Sequence, residues 1–324
     1  MPIDFHLDFT PPSFQQKITL ADKIFLIGSC FTTHLHDKLQ MHKFNTMQNP
    51  HGILFNPISI SNSVETYIRG KHVTADQMFQ HQSLWHHWDF HSHFSHQDKE
   101  VAILEMNKSI QLAHEFLKTA DCLFITLGSG FVYQNEKNET VANCHKLPSS
   151  HFTRFLLKPE QISARLINTI EELQTFNKKL RIIFTVSPVR HLRDGFIENN
   201  RSKAALFHAI DLVQEVFPTV EYFPAYELIV DDLRDYRFYA EDMVHPNYQA
   251  TQYVWEKFVE SSIEGKSQEA MKEINQLLQA VKHRPLHPGS LEHVKFTEKS
   301  RALAMDLSKR FPFLDFSGEI AHFS

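Results

Sequence analysis

The sequence predicts an α/β domain built on a largely parallel sheet. Two observations carry this expectation. Short, wholly apolar runs recur along the chain, the pattern of strands covered on both faces. Between them lie longer stretches with apolar residues at helical spacing, the alternation that crossover connections produce. With 324 residues, 42 % of them hydrophobic and 22 % charged, the chain has enough apolar material for a large core.

In chain order, Lys23–Gly28 (KIFLIG) is short, apolar and ends in glycine, as a buried strand entering a turn does. Residues 31–42 carry Leu35 and Leu39 one helical turn apart. A second strand is expected near 44–48, closing on Asn49-Pro50-His51-Gly52, and a helix over 57–69 with Pro57 in its first turn. Helical stretches over 103–118 and 159–178 precede two clear strands, Cys122–Leu127 and Arg181–Val186. A helix over 200–216 and a fifth strand near 220–223 follow, and Tyr248, Trp255 and Val259 mark the last helix of the main unit, which spans 1–264. Residues 265–324 read as a helical appendage, with helices near 267–281 and 297–309 joined by the connector HRPLHPGS.

One stretch fits neither pattern. Residues 78–96 (MFQHQSLWHHWDFHSHFSH) alternate from His87 onward, with Trp88, Phe90 and Phe94 on one side and His87, Asp89, His91 and His93 on the other. This predicts a strand or hairpin inserted beside the main sheet, within an insertion over 71–100.

Charge narrows the partners. Lys plus Arg is 33 against 38 for Asp plus Glu, a formal charge of −5, with no long block of one sign. That argues against nucleic acid and anionic membrane. The 22 histidines would move the formal charge from −5 to +17 if all were protonated, so surface charge changes steeply below about pH 6.5. Cys30, Cys122 and Cys144 are an odd number at unrelated spacings and suggest neither a disulfide framework nor a zinc site. The first residues, MPIDFHLDFTPPSF, lack the basic and apolar regions of a signal peptide, and no run of 18 apolar residues occurs. A cytoplasmic location is the expectation.

The chemistry starts at Ile27-Gly28-Ser29-Cys30-Phe31. A serine between a buried strand and a helix occupies the carboxyl edge of the sheet, where open α/β sheets bind ligands. The helix start offers free amides to a developing oxyanion. Taken alone, such a serine is more often a helix cap. After the last strand, Asp242 and His245 lie three apart on a turn entering a helix, with Pro246 at the helix start. One carboxylate can there hold one imidazole, although ordinary caps also give this spacing.

Together these pieces resemble the SGNH/GDSL hydrolases. The words GSCF, NPHGILFNP, TVSPVRH, NRSKAAL and DYRFYAEDMVHP resemble the GSCFA family, named for Gly-Ser-Cys-Phe-Ala; here the fifth position is Thr32. The resemblance implies a three-layer α/β/α sandwich with a five-stranded parallel sheet in the order 2-1-3-4-5. It implies a serine esterase or deacylase acting on a small-molecule or carbohydrate acyl ester. Position by position, Ser29 matches the nucleophile, His245 the base and Asp242 its orienting carboxylate. Gly52 matches the glycine whose amide joins the oxyanion hole, with the Ser29 amide as a second donor. The usual asparagine of a G-x-N turn is replaced by Gly128-Ser129-Gly130, so Ser129 is the remaining candidate or the hole has two donors. No cofactor is implied.

Other residues compete. Cys30 is intrinsically more reactive than its neighbour but is expected to point away from it. His87, Asp89, His91 and His93 could converge on a metal, yet alternation explains them as the polar face of a strand, and no metal is expected. The resemblance puts His91 and Ser92 at the substrate. Arg190 and His191, after the fourth strand, would bind an anionic or polar substrate group, or Arg190 pairs with a structural carboxylate. Lys203 is a similar case. Asp231, Asp232 and Asp235 read as a solvated turn. A non-catalytic binding protein on the same fold is the competing function, and an acyltransferase would use the same triad.

Overall fold

The computed structural model describes residues 9–324. In chain order it contains β1 (Lys23–Gly28), α1 (Phe31–Met41), β2 (Asn45–Gln48), α2 (Pro57–Arg69), β3 (Phe79–His81), β4 (Leu84–His86), α3 (Lys99–Thr119) and β5 (Cys122–Leu127). There follow β6 (Phe131–Gln134), β7 (Thr140–Val141), β8 (Thr153–Leu156), α4 (Pro159–Phe176), β9 (Arg181–Val186), α5 (Gly195–Val216) and β10 (Glu221–Tyr222). The short α6 (Ala225–Glu227), α7 (Tyr248–Ser262), α8 (Gly265–Lys282), α9 (Leu291–Arg310) and α10 (Ser317–His322) complete the chain.

The parallel sheet has the order β2-β1-β5-β9-β10, which in chain order of its strands is 2-1-3-4-5. Strand alternation divides its side chains between two cores. Ile24, Leu26, Phe124 and Ile183 face Leu35 and Leu39 of α1, Val254 and Phe258 of α7 and Ile274 and Leu277 of α8. Phe25, Ile27, Leu123, Ile125 and Phe184 face Val64 of α2, Leu117 of α3, Leu166 of α4 and Leu206 of α5. This is the three-layer sandwich. Ala304 and Leu307 of α9 join the first core, so the final helices extend one helical layer.

Several boundaries differ from expectation. The helix expected from 200 starts at Gly195, and the fifth strand has only two residues. Pro246 does not start α7: Asn247 caps it, its Oδ1 accepting from the Ala250 amide at 3.1 Å. A third C-terminal helix, α10, was not foreseen. Nor was the three-stranded antiparallel sheet β7-β6-β8.

The insertion does hold a hairpin, β3–β4, but it precedes the alternating stretch. From His87 the chain turns instead of extending. Its amides and carbonyls go to turns and side chains: Phe90 N–H to the His87 carbonyl, His91 N–H to the His51 carbonyl, and the His87 carbonyl also to the His145 ring at 2.9 Å. His87 and Phe90 are both buried, so the two-faced pattern is not realised. Among the described residues no group of three His, Cys, Asp or Glu side chains is placed to hold a metal, and no helix is long and apolar enough to cross a membrane.

Candidate active site

Ser29 sits where β1 breaks into α1. Gly28 has φ +134°, and a Cβ there would lie 2.1 Å from the Thr126 carbonyl oxygen, so only glycine fits this turn. Its amide donates to Asn49 Oδ1 at 2.8 Å and its carbonyl accepts from the Leu54 amide at 3.0 Å, which ties the 49–54 loop to the serine. Ser29 is fully buried, and its Oγ has no hydrogen-bond partner among the described residues. It does not cap α1 through its side chain, and Cys30 occupies the cap position without a side-chain bond.

Asp242 and His245 form one compact turn. Ala240 N–H donates to the His245 carbonyl at 2.7 Å, and Met243 takes φ +58° between them. Asp242 Oδ1 accepts from the amides of Val244 and His245, both at 2.9 Å, and Oδ2 lies 2.6 Å from His245 Nδ1. The His245 and Val244 amides, with the imidazole, hold the Asp242 carboxyl down at about 2. The carboxylate therefore fixes the proton on Nδ1 and leaves Nε2 as an acceptor. Both side chains are 49 % exposed, and His245 stands close enough to His34 and His191 to disfavour their protonation. No hydrogen bond joins His245 to Ser29 in this ligand-free geometry.

The expected oxyanion donors are all engaged elsewhere. The Ser29 amide donates to the Thr126 carbonyl at 3.1 Å, and the Gly52 amide to the Asn49 carbonyl at 2.7 Å. The Ser129 amide donates to the Phe55 carbonyl at 2.9 Å, and its hydroxyl accepts from the Phe131 amide and meets Ser202 Oγ at 3.2 Å. Tight turns consume their own amides, so the three expected backbone donors have other acceptors in this geometry. Other donors stand one residue later: the amides of Cys30 and Phe31 open α1 with no backbone acceptor among the described residues. Both bear on the Cys30 thiol, whose pKa is nevertheless raised, chiefly by burial.

The GSCFA family profile matches residues 23–258, and that of the GSCFA domain protein C-terminal domain matches residues 274–324. The chain belongs to the GSCFA family. No curated protein matches it. Among solved structures, this GSCFA chain is similar to a carbohydrate esterase family 3 protein from Talaromyces cellulolyticus, at 8 % identity and TM-score 0.35, covering 79 % of this chain and 99 % of that one. It is also similar to an acetyl xylan esterase (Est2A) from the rumen bacterium Butyrivibrio proteoclasticus, at 12 % identity and TM-score 0.39, covering 82 % and 66 %.

Around the GSCFA serine, the remaining expected residues divide. His91 packs on the 49–54 loop: a Cβ on Gly52, at φ +81°, would lie 2.2 Å from His91 Cβ. Its Nδ1 meets His93 Nδ1 at 3.0 Å. Ser92 is tied to His145 Nδ1 at 3.1 Å and belongs to the histidine-rich packing. His191 lies edge-on to Phe55 with its ring centroid 5.2 Å away, and its Nε2 is buried without a partner. Burial first, then Lys203 and His245, push this imidazole down to about 4. Arg190 makes no hydrogen bond or ion pair, so the structural-carboxylate alternative fails among the described residues. Lys203, only 2 % exposed, donates to the carbonyls of Gly128 and Ser187 at 2.7 and 2.6 Å. Sequence reasoning left Lys203 open between an anion contact and a structural ion pair and gave no sign of its burial; it offered the amides at the start of the helix after Ser29 without naming Cys30 and Phe31.

Proposed function

We propose that this GSCFA chain is a serine hydrolase of acyl esters, with Ser29 as nucleophile, His245 as general base and Asp242 as its orienting carboxylate. One observation carries the reading: an imidazole locked by a carboxylate at 2.6 Å, with Nε2 unengaged, beside a sheet edge that holds a buried, unpartnered serine hydroxyl. Hydrogen bonds between catalytic groups are often long in ligand-free enzymes and tighten with substrate. Ser29 Oγ attacks the acyl carbon as its proton passes to His245 Nε2. The oxyanion meets the Cys30 and Phe31 amides at the positive end of α1. Collapse breaks the ester bond, and the proton returns from Nε2 to the leaving alcohol. Water, activated by the same imidazole, then releases the acid and restores the serine; a different hydroxyl in its place would make the protein an acyltransferase.

The engaged amides of Ser29, Gly52 and Ser129 favour the other reading, a binding protein that does no chemistry. A fluorophosphonate separates the two, because it reacts with an activated nucleophile and not with a resting hydroxyl. Mass spectrometry is expected to find the adduct on Ser29 and none after Ser29→Ala. Loss of labelling in His245→Ala ties it to the base. No adduct in folded wild-type protein would favour the binding role.

A further inference from the structure

Positive charge collects beside Ser29 with nothing to balance it. Lys203 reaches from α5 to the ends of β5 and β9, where the Gly128 and Ser187 carbonyls take two of its three protons. No carboxylate pairs with this buried ammonium among the described residues. An unpaired buried cation is costly, and such groups cluster where a ligand supplies the missing charge. The groups around it do not supply it. The Cys30 thiol is kept protonated by burial, Tyr226 presents its ring at 6.0 Å with its own pKa raised, and His191 is held neutral. Arg190 is a second cation, half-buried and without a hydrogen-bonded or ionic partner. Burial and Arg190 together lower Lys203 to about 7, against the opposite pull of Cys30.

Lys203 and His191 adjoin the nucleophile. A Cβ on Gly128 would lie 3.3 Å from Ser29 Cβ and 3.2 Å from the Phe55 ring, and His191 packs on that same ring. Its buried Nε2 is a polar atom awaiting a partner.

We propose that the substrate of the Ser29 site carries an anionic group, a carboxylate or a phosphate, received by Arg190 and His191 in the field of Lys203. The guanidinium offers a planar fork that suits either anion. The proposal rests on the hydrolase reading for the word substrate; the anion site itself is built from residues outside the triad.

The test compares mono-p-nitrophenyl glutarate, which is anionic, with neutral p-nitrophenyl acetate. The expected kcat/KM ratio, corrected for the uncatalysed rates, favours the anionic ester by at least about tenfold. In Arg190→Gln it falls towards one. Arg190 is half-buried and unpaired, so that variant is expected to fold. A ratio near one in wild type, unchanged in the variant, overturns the proposal. Calorimetry with glutarate, inorganic phosphate and neutral glutaramide needs no turnover. Binding of either anion, lost in Arg190→Gln, upholds the anion site even if neither ester is cleaved, and the tighter anion names the group. No binding by either anion, with or without ester cleavage, overturns it.

Discussion

The edge of the parallel sheet and the histidine-rich insertion use the same side chain in opposite ways. At the edge, backbone geometry places each polar group: Gly28 forces the turn, α1 starts behind it, and the Asp242 turn presents His245 half-exposed, with one nitrogen held and one free. In and around the insertion, imidazoles are packing pieces. His51 stacks on Phe90 at 3.9 Å, and His145 lies 4.4 Å from His86 and edge-on to Phe79. His145 also has both nitrogens bonded, to Ser92 and to the His87 carbonyl. A histidine is ready for proton transfer when one nitrogen is engaged and the other is open; with both engaged and the ring buried, it is an aromatic with two hydrogen bonds.

Three experiments press on this comparison. Asp242→Asn removes the group that fixes the His245 tautomer, and turnover or labelling is expected to fall by about 10⁴ with the fold intact. Full activity would move the role to another carboxylate.

The next effect belongs to the insertion and the His145 ring packed against it. Burial pushes His87 and His145 down to about 4 from an ordinary value near 6.5. The unfolded chain therefore takes up protons that the folded chain refuses. Their contribution is fully present above about pH 6.5 and is lost as pH falls through about 4, on the order of 3 kcal/mol for each ring. Asp89, pushed up to about 6 by burial and then by Glu139, works in the opposite sense, so the informative quantity is a difference between proteins. The melting temperature of wild type minus that of His145→Gln is expected to shrink between pH 7 and pH 4. A constant difference would show that the ring titrates normally.

The smallest expected effect is at Cys30. Burial raises its pKa, so the thiol is protonated and poorly nucleophilic near neutrality. Fluorophosphonate labelling of Cys30→Ala is expected to match wild type within about twofold. An adduct that followed the cysteine would transfer the nucleophile one residue along.

The three central strands, β1, β5 and β9, were legible because each is covered on both faces, which leaves an uninterrupted apolar run. The small antiparallel sheet was not: FVYQ, TV and TRFL are two to four residues long and mix polar with apolar groups, and Arg154 lies over the Phe131 ring in a way no periodicity announces. The Asp242–His245 pair was legible because both partners sit on one turn, three residues apart. The fate of the Gly52 and Ser129 amides was not, since it depends on where the Asn49 and Phe55 carbonyls lie in space. Lys203 reads as an ordinary helix residue in NRSKAAL, and only the ends of β5 and β9 above it make it a buried cation.

On the proposed hydrolase reading, the complete burial of Ser29 bears on what would happen to an acyl group attached there. An ester formed on that oxygen would inherit the serine's shelter, and bulk water would meet it only when the surrounding loops part. Its dwell time would then depend on how often they do, not on the intrinsic lability of the ester. An acceptor that binds in the cleft and carries its own hydroxyl would hold an advantage over water, present at high concentration but kept outside. On the proposed reading, the partition between releasing an acid and passing it on would follow from the depth of one side chain.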